Sequence, residues 1–132
     1  MKAPGSPSVA EGILALESAA LRRWCRGDPS GFLDICADDV VYFDPFLDRR
    51  IEGRTALTAY YETLRGKVGA ARHEILAPIV QHSGTMAVLT FHFASSGGGA
   101  DEARWNCTEA YRLEAQGWRI IQTHWSFTGA GR

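Results

Sequence analysis

An α+β fold follows from three observations. Helical spacing of apolar residues fills the chain from Val9 to Arg26 and recurs between Ala56 and about Arg65. A β-branched and aromatic run, Val40 to Asp44, separates these helical stretches. Strand signals then dominate from His73 to Phe127. The order is helix, helix, strand, helix, then an antiparallel meander. Such a sheet, strongly curved and wrapped by three N-terminal helices, makes a cone with an interior.

Each element has a local cause. In the first helix Ile13, Leu14, Ala20, Leu21, Trp24 and Cys25 recur at helical spacing, and Gly27 stops it. Asp28 followed by Pro29 reads as a cap with proline in the first turn of a second, short helix through Phe32, Leu33 and Ile35 to about Ala37. Pro45 has no backbone donor and ends the strand at Asp44. Residues 46–52 form a loop or small hairpin. Gly53-Arg54-Thr55 opens the third helix, striped by Leu57, Tyr60, Tyr61 and Leu64.

Four strands follow. His73 to His82 carries Pro78, which marks an edge or bulge. Met86 to Ala94 alternates through Val88, Leu89, Phe91 and Phe93. Ser95 to Ala100 is a glycine-rich tip, Ala103 to Leu113 is the next strand, and Gln116-Gly117 turns into the last, Trp118 to Phe127. Residues 1–8 read as a flexible lead, 9–128 as one domain and 129–132 as a frayed tail.

Composition excludes several functions. Apolar content of 45%, charged content of 22% and a net charge of −1 describe an ordinary soluble chain without a basic stripe, so neither nucleic acid nor a membrane is an expected partner. Cys25, Cys36 and Cys107 have no metal or redox spacing and read as reduced thiols, which points to the cytoplasm. His73, His82, His92 and His124 show no ligand spacing, so no metal or cofactor is expected.

Two carboxylates stand out. Asp44 ends Val40-Val41-Tyr42-Phe43, and Glu109 lies within Trp105-Asn106-Cys107-Thr108-Glu109-Ala110-Tyr111. An acid among such neighbours is paired, hydrogen-bonded or used. Two acids in one apolar cavity would divide acid and base roles. Asp-Pro is also a common turn opener, so Asp44 has a structural reading too.

The strand period of two groups further residues. Tyr42 shares a face with Asp44; Trp105, Cys107, Tyr111 and Leu113 share one with Glu109; Leu89, Phe91 and Phe93 share another. His124 groups inward with Gln122, Ile120 and Trp118, while Thr90, His92, Asn106, Thr108 and Trp125 face outward. A β-bulge would invert any of these assignments. His124 is then either a hydrogen-bonded core histidine or a titratable pocket group.

Three stretches resemble the SnoaL-like, ketosteroid isomerase-like branch of the nuclear transport factor 2-like (cystatin-like) superfamily. They are residues 26–45, ending Tyr42-Phe43-Asp44-Pro45; Glu52-Gly53-Arg54-Thr55-Ala56-Leu57 with Tyr60-Tyr61; and Thr108 to Leu113 with Gly117-Trp118-Arg119-Ile120-Ile121 and His124-Trp125-Ser126. The resemblance implies Asp44 as the proton-shuttling base, Glu109 as the oxyanion-stabilising acid and Tyr61 as a supporting tyrosine. It also implies a homodimer joined through the outer sheet face. The isomerase's first-helix tyrosine is replaced by Ala20. The expected catalytic set is therefore Asp44, Glu109 and His124. The expected pocket is Trp24, Tyr42, Tyr61, Leu89, Phe91, Phe93, Trp105 and Gln122, holding a small hydrophobic ligand. A polyketide cyclase-like activity, a non-catalytic binding or dimerisation module, and an epoxide-opening hydrolase using Arg104 or Arg112 remain as other readings.

Overall fold

The computed structural model describes residues 8–97 and 102–129. Most of the expected lead and tail, and the expected glycine-rich tip at 98–100, lie outside these residues. Ser8 belongs to the first helix: its hydroxyl accepts from Glu11 N–H and Glu11 accepts from Ser8 N–H, both at 3.0 Å. That helix, α1, spans Val9–Cys25. Asp28 Oδ1 accepts from Ser30 N–H at 3.0 Å and caps α2, Ser30–Leu33.

The chain enters β1, Cys36–Phe43, earlier than expected. Ile35, Cys36 and Ala37 are all buried, and Cys36 pairs with Ile120 on the last strand. A distant partner outweighs the weak helical preference here. β2, Ile51–Glu52, is a two-residue hairpin partner of β1, and α3 follows as Arg54–Glu62. β3, Arg72–Ser83, β4, Met86–Ser96, β5, Ala103–Glu114, and β6, Gly117–Phe127, complete the sheet.

The six strands form one curved, unclosed sheet in the order β2-β1-β6-β5-β4-β3. The β1–β6 pair is parallel, so the sheet is not antiparallel throughout. Pro78 sits in the edge strand β3 at a register break between Leu76 and Ile79, where Ala77 has φ 51°.

Cross-strand rows define the two faces. Tyr42, Thr123, Glu109 and Leu89 form one inward row, and Phe91, Cys107 and Trp125 another. Phe43, His124, Thr108 and Thr90 form an outward row. Facing α1 and α3, the inward rows build the core with Ile13, Leu21, Leu57 and Tyr61.

One irregularity sets these faces. Tyr111 pairs with Ile120 and Ala110 with Gln122, which leaves Ile121 as an extra residue in β6. Alternation inverts beyond it. Gln122 and His124 are therefore exposed, whereas Thr123 and Trp125 point inward. The expected inward placement of His124 and Gln122, and the outward placement of Trp125, are corrected on this ground. Leu113, expected inside, is also exposed because β5 and β6 leave the helix layer near their hairpin.

Candidate functional site

Asp44 follows β1 and turns the chain. Its Oδ1 accepts from Phe46 N–H at 2.8 Å and Leu47 N–H at 3.2 Å, an Asx turn. Its Oδ2 accepts from the hydroxyls of Tyr42 at 2.8 Å and Tyr60 at 2.6 Å. Both sequence readings of Asp44 thus hold at once: it builds the turn and it faces the interior. The Tyr61 ring packs edge-on against Tyr42, centroids 5.5 Å apart. Burial, then the neighbouring Asp44 charge, push the Tyr42 phenol far above its ordinary value. Burial and the Asp44 hydrogen bond do the same for Tyr60.

These groups line a cavity of about 410 Å³. Trp24, Tyr42, Tyr61, Phe93 and Trp105 line it as expected, and so does Asp44. Tyr60, Phe46, Trp125 and the 64–70 connection also form its wall. Asp44 and Lys67 are the charged residues in that lining. The walls are mainly aromatic, with Trp24 edge-on to Phe32 and Tyr61, and Trp125 edge-on to Phe32, Phe91, Phe93 and Trp105.

Several expected residues are not in that lining. Leu89 and Phe91 face the interior but are packed into the core. Gln122 is exposed. His124 stacks on Phe43 on the outer face, ring centroids 4.9 Å apart. Glu109 is fully buried and makes no part of the cavity wall. The structure therefore does not bring Asp44 and Glu109 into one cavity.

Glu109 has a different partner, Glu17 of α1, also at 0% exposure. The Tyr111 hydroxyl donates to Glu17 Oε1 at 2.7 Å, and the Thr123 hydroxyl donates to Glu109 Oε2 at 2.7 Å. Glu17 Oε2 and Glu109 Oε1 receive no donor from any other group. The two carboxyls interact, and one proton shared between them would satisfy both oxygens. Burial raises both acids. Glu109 goes well above the ordinary range because the Glu17 charge adds to it. The Trp125 indole N–H donates to Thr123 Oγ1 at 3.0 Å, so this acid pair braces a cavity wall residue through one hydroxyl.

Sequence reasoning missed Glu17, although it sits four residues after Ile13 and four before Leu21, on the apolar stripe of α1. A carboxylate at a core position of a helix was the available signal. Ala20 also has a packing reason. A Cβ on Gly31 would lie 3.1 Å from Ala20 Cα, so α1 and α2 touch backbone to backbone where a tyrosine would need room.

Among the described residues no group of three or more His, Cys, Asp and Glu side chains is placed to hold a metal, and no helix is long and apolar enough to cross a membrane. Cys25, Cys36 and Cys107 are free thiols, and Cys25 lines the cavity. Arg104 pairs with Glu102, and Arg112 with Asp39 and Glu114, away from the cavity wall.

The SnoaL-like domain family matches residues 18–122. The chain belongs to that family. A candidate ketosteroid isomerase from Parabacteroides distasonis is 36% identical, with 98% of this chain and 96% of that one covered and a TM-score of 0.86. A candidate dehydratase of the NTF2-like family from Streptomyces avermitilis is 20% identical, with 92% and 96% covered and a TM-score of 0.72. The hub of a calcium/calmodulin-dependent kinase from S. rosetta is 18% identical, with 93% and 99% covered and a TM-score of 0.76. The last two resemblances establish the fold alone. No curated protein sequence matches the chain.

Proposed function

We propose that this SnoaL-like protein is a cofactor-independent enzyme that moves a proton next to a carbonyl on a small hydrophobic substrate, with Asp44 as the base. One observation carries the reading: a carboxylate held by Tyr42 and Tyr60 in the wall of an aromatic cavity. A base on a rigid turn, beside an apolar surface that binds a flat ring, meets the geometric needs of general base catalysis. The 36% identity to a candidate ketosteroid isomerase supports the same class. Polyketide cyclase-like chemistry, which also begins by removing such a proton, belongs to it.

The test is turnover of a bicyclic β,γ-unsaturated ketone, followed by the absorbance of its conjugated product. Wild type converts it; Asp44→Asn lowers kcat by about 10²-fold or more, with a thermal midpoint within a few degrees of wild type. Retention of kcat by that variant ends the reading.

A non-catalytic binding module is the second reading, favoured by the four donors already bound to Asp44. Under it, flat apolar compounds raise the thermal midpoint and emerge unchanged. The epoxide-opening reading lacks its arginine, since Arg104 and Arg112 are engaged elsewhere. We further propose a homodimer through the outer sheet face and a cytoplasmic location. Exposed Phe43 on that face and the three free thiols support these two readings respectively.

A further inference from the structure

Proton transfer beside a carbonyl needs a base and, within reach of the same substrate atoms, a donor to the oxygen on which charge develops. Asp44 supplies the base. Glu109 and His124, expected for the second role, do not line the cavity. Other cavity-wall donors exist, among them Ser95 and Lys67, yet among the described residues Tyr42 and Tyr60 are the lining side chains that hydrogen-bond Asp44.

The hydrogens of this cluster run one way. Tyr42 and Tyr60 both donate to Asp44. Phe46 and Leu47 N–H groups occupy the other carboxylate oxygen. A carboxylate has about four acceptor sites, and all are filled. In this arrangement the site offers a substrate neither an open lone pair on its base nor an open phenol hydrogen.

One of these hydrogens is free to turn. Tyr42 is held in place, because it is buried, donates to Asp44 and packs edge-on against Tyr61. Tyr60 is half-buried on the cavity wall, and among the described residues nothing donates to its oxygen. Rotating its O–H about the C–O bond breaks a single hydrogen bond.

We propose that Tyr60 is a catalytic residue whose hydroxyl hydrogen swings from Asp44 to the carbonyl oxygen of the bound substrate, opening one Asp44 lone pair at the moment it polarises that oxygen. The proposal rests on the reading of Asp44 as base. The adjacent C–H proton passes to Asp44 Oδ2. Its bonding pair becomes the C=C bond of the enolate, and the C=O π pair moves onto the oxygen that Tyr60 now holds. Return of the proton from Asp44 to carbon restores the C=O bond and the carboxylate, and Tyr60 swings back. No other reactant is consumed. Burial and the Asp44 charge keep the phenol protonated, as this donor role requires.

The test separates oxygen recognition from turnover. 2-Naphthol mimics a flat enol; naphthalene is the same shape without the oxygen. Binding of each is followed by quenching of tryptophan fluorescence. Wild type prefers 2-naphthol by about tenfold or more, the worth of one good hydrogen bond to a site held dry. Tyr60→Phe loses that preference and keeps its naphthalene affinity, which also reports that the cavity is intact. On the bicyclic ketone, Tyr60→Phe lowers kcat by about 10²-fold with KM changed less than threefold, as for removal of an oxyanion donor. A wild type without the preference, a preference that survives in Tyr60→Phe, or an unchanged kcat in that variant overturns the proposal. Should no protein turn over the ketone while Tyr60→Phe still abolishes the 2-naphthol preference, Tyr60's oxygen contact stands and Asp44's role as base is what fails.

Discussion

At the scale of single residues, the chemistry of this chain separates into two acidic sites with opposite surroundings. Asp44 receives four donors and faces a cavity. Glu109 and Glu17 share the buried core, where burial raises both acids. Facing this pair are Tyr111 and Cys107 of β5, Thr123 of β6, Cys36 of β1 and Tyr61 of α3. A raised acid costs nothing below its unfolded pKa, near 4.5, where both states carry the proton. As pH rises past that value the unfolded chain releases the proton while the folded core keeps it, so stability declines until the folded pKa is reached. Glu109→Gln puts a permanent donor where the shared proton sits, leaving only Glu17's contribution to that decline. Its thermal midpoint should fall less than that of wild type between about pH 5 and 8, read by circular dichroism; parallel slopes would show that the two carboxyls share no proton. Glu109→Ala, which strands a buried Glu17, should cost about 3–5 kcal/mol near neutral pH in denaturant titrations.

At the scale of elements, the positions of α3 and of the β6 bulge decide what reaches the cavity. Gly53 starts α3 at φ 92° and donates its N–H to Val40 O at 2.7 Å, tying the helix to β1 just ahead of Tyr42 and Asp44. A side chain is strained at that angle. Gly53→Ala should lower unfolding free energy by about 1–2 kcal/mol and loosen Tyr60 from Asp44, seen as a drop in ligand affinity larger than the stability loss alone explains. No change in either quantity would mean that the junction does not position the tyrosines. Ile121 acts through geometry alone. It adds one residue to β6, and the face of everything after it changes. The apolar stripe of α3 and the alternation of β4 were legible because their neighbours are local. The bulge was not, because it depends on how β6 pairs with β5, and nothing in the residues around Ile121 marks it.

At the scale of the whole molecule, the outward sheet face remains open. Phe43 is 40% exposed, and Ile79 at the far end of the same cross-strand row is 59% exposed. Between them lie His124, Thr108 and Thr90, with His92 and Asn106 hydrogen-bonded in the next row at 2.9 Å. The proposed homodimer would bury this partly apolar surface. Light scattering should find a dimer for wild type and a monomer for Phe43→Asp, since a desolvated charge within such a contact is costly. A wild-type monomer at all concentrations tested would remove the dimer reading, and the cavity would be unaffected.

Amphipathic spacing, turn residues and aromatic content determined by themselves that this chain has three helices, a long meander and an acid at the turn before Pro45. Those signals act between residues close in sequence, or through a periodicity each element carries alone. Only the tertiary structure decided that Glu109 pairs with Glu17 and that Asp44 pairs with Tyr60. It also put Trp125, and not His124, on the inner face. Each of these depends on which side of a strand faces a helix distant in the chain, and one bulged residue or one early strand start reverses that side without leaving a mark on local composition.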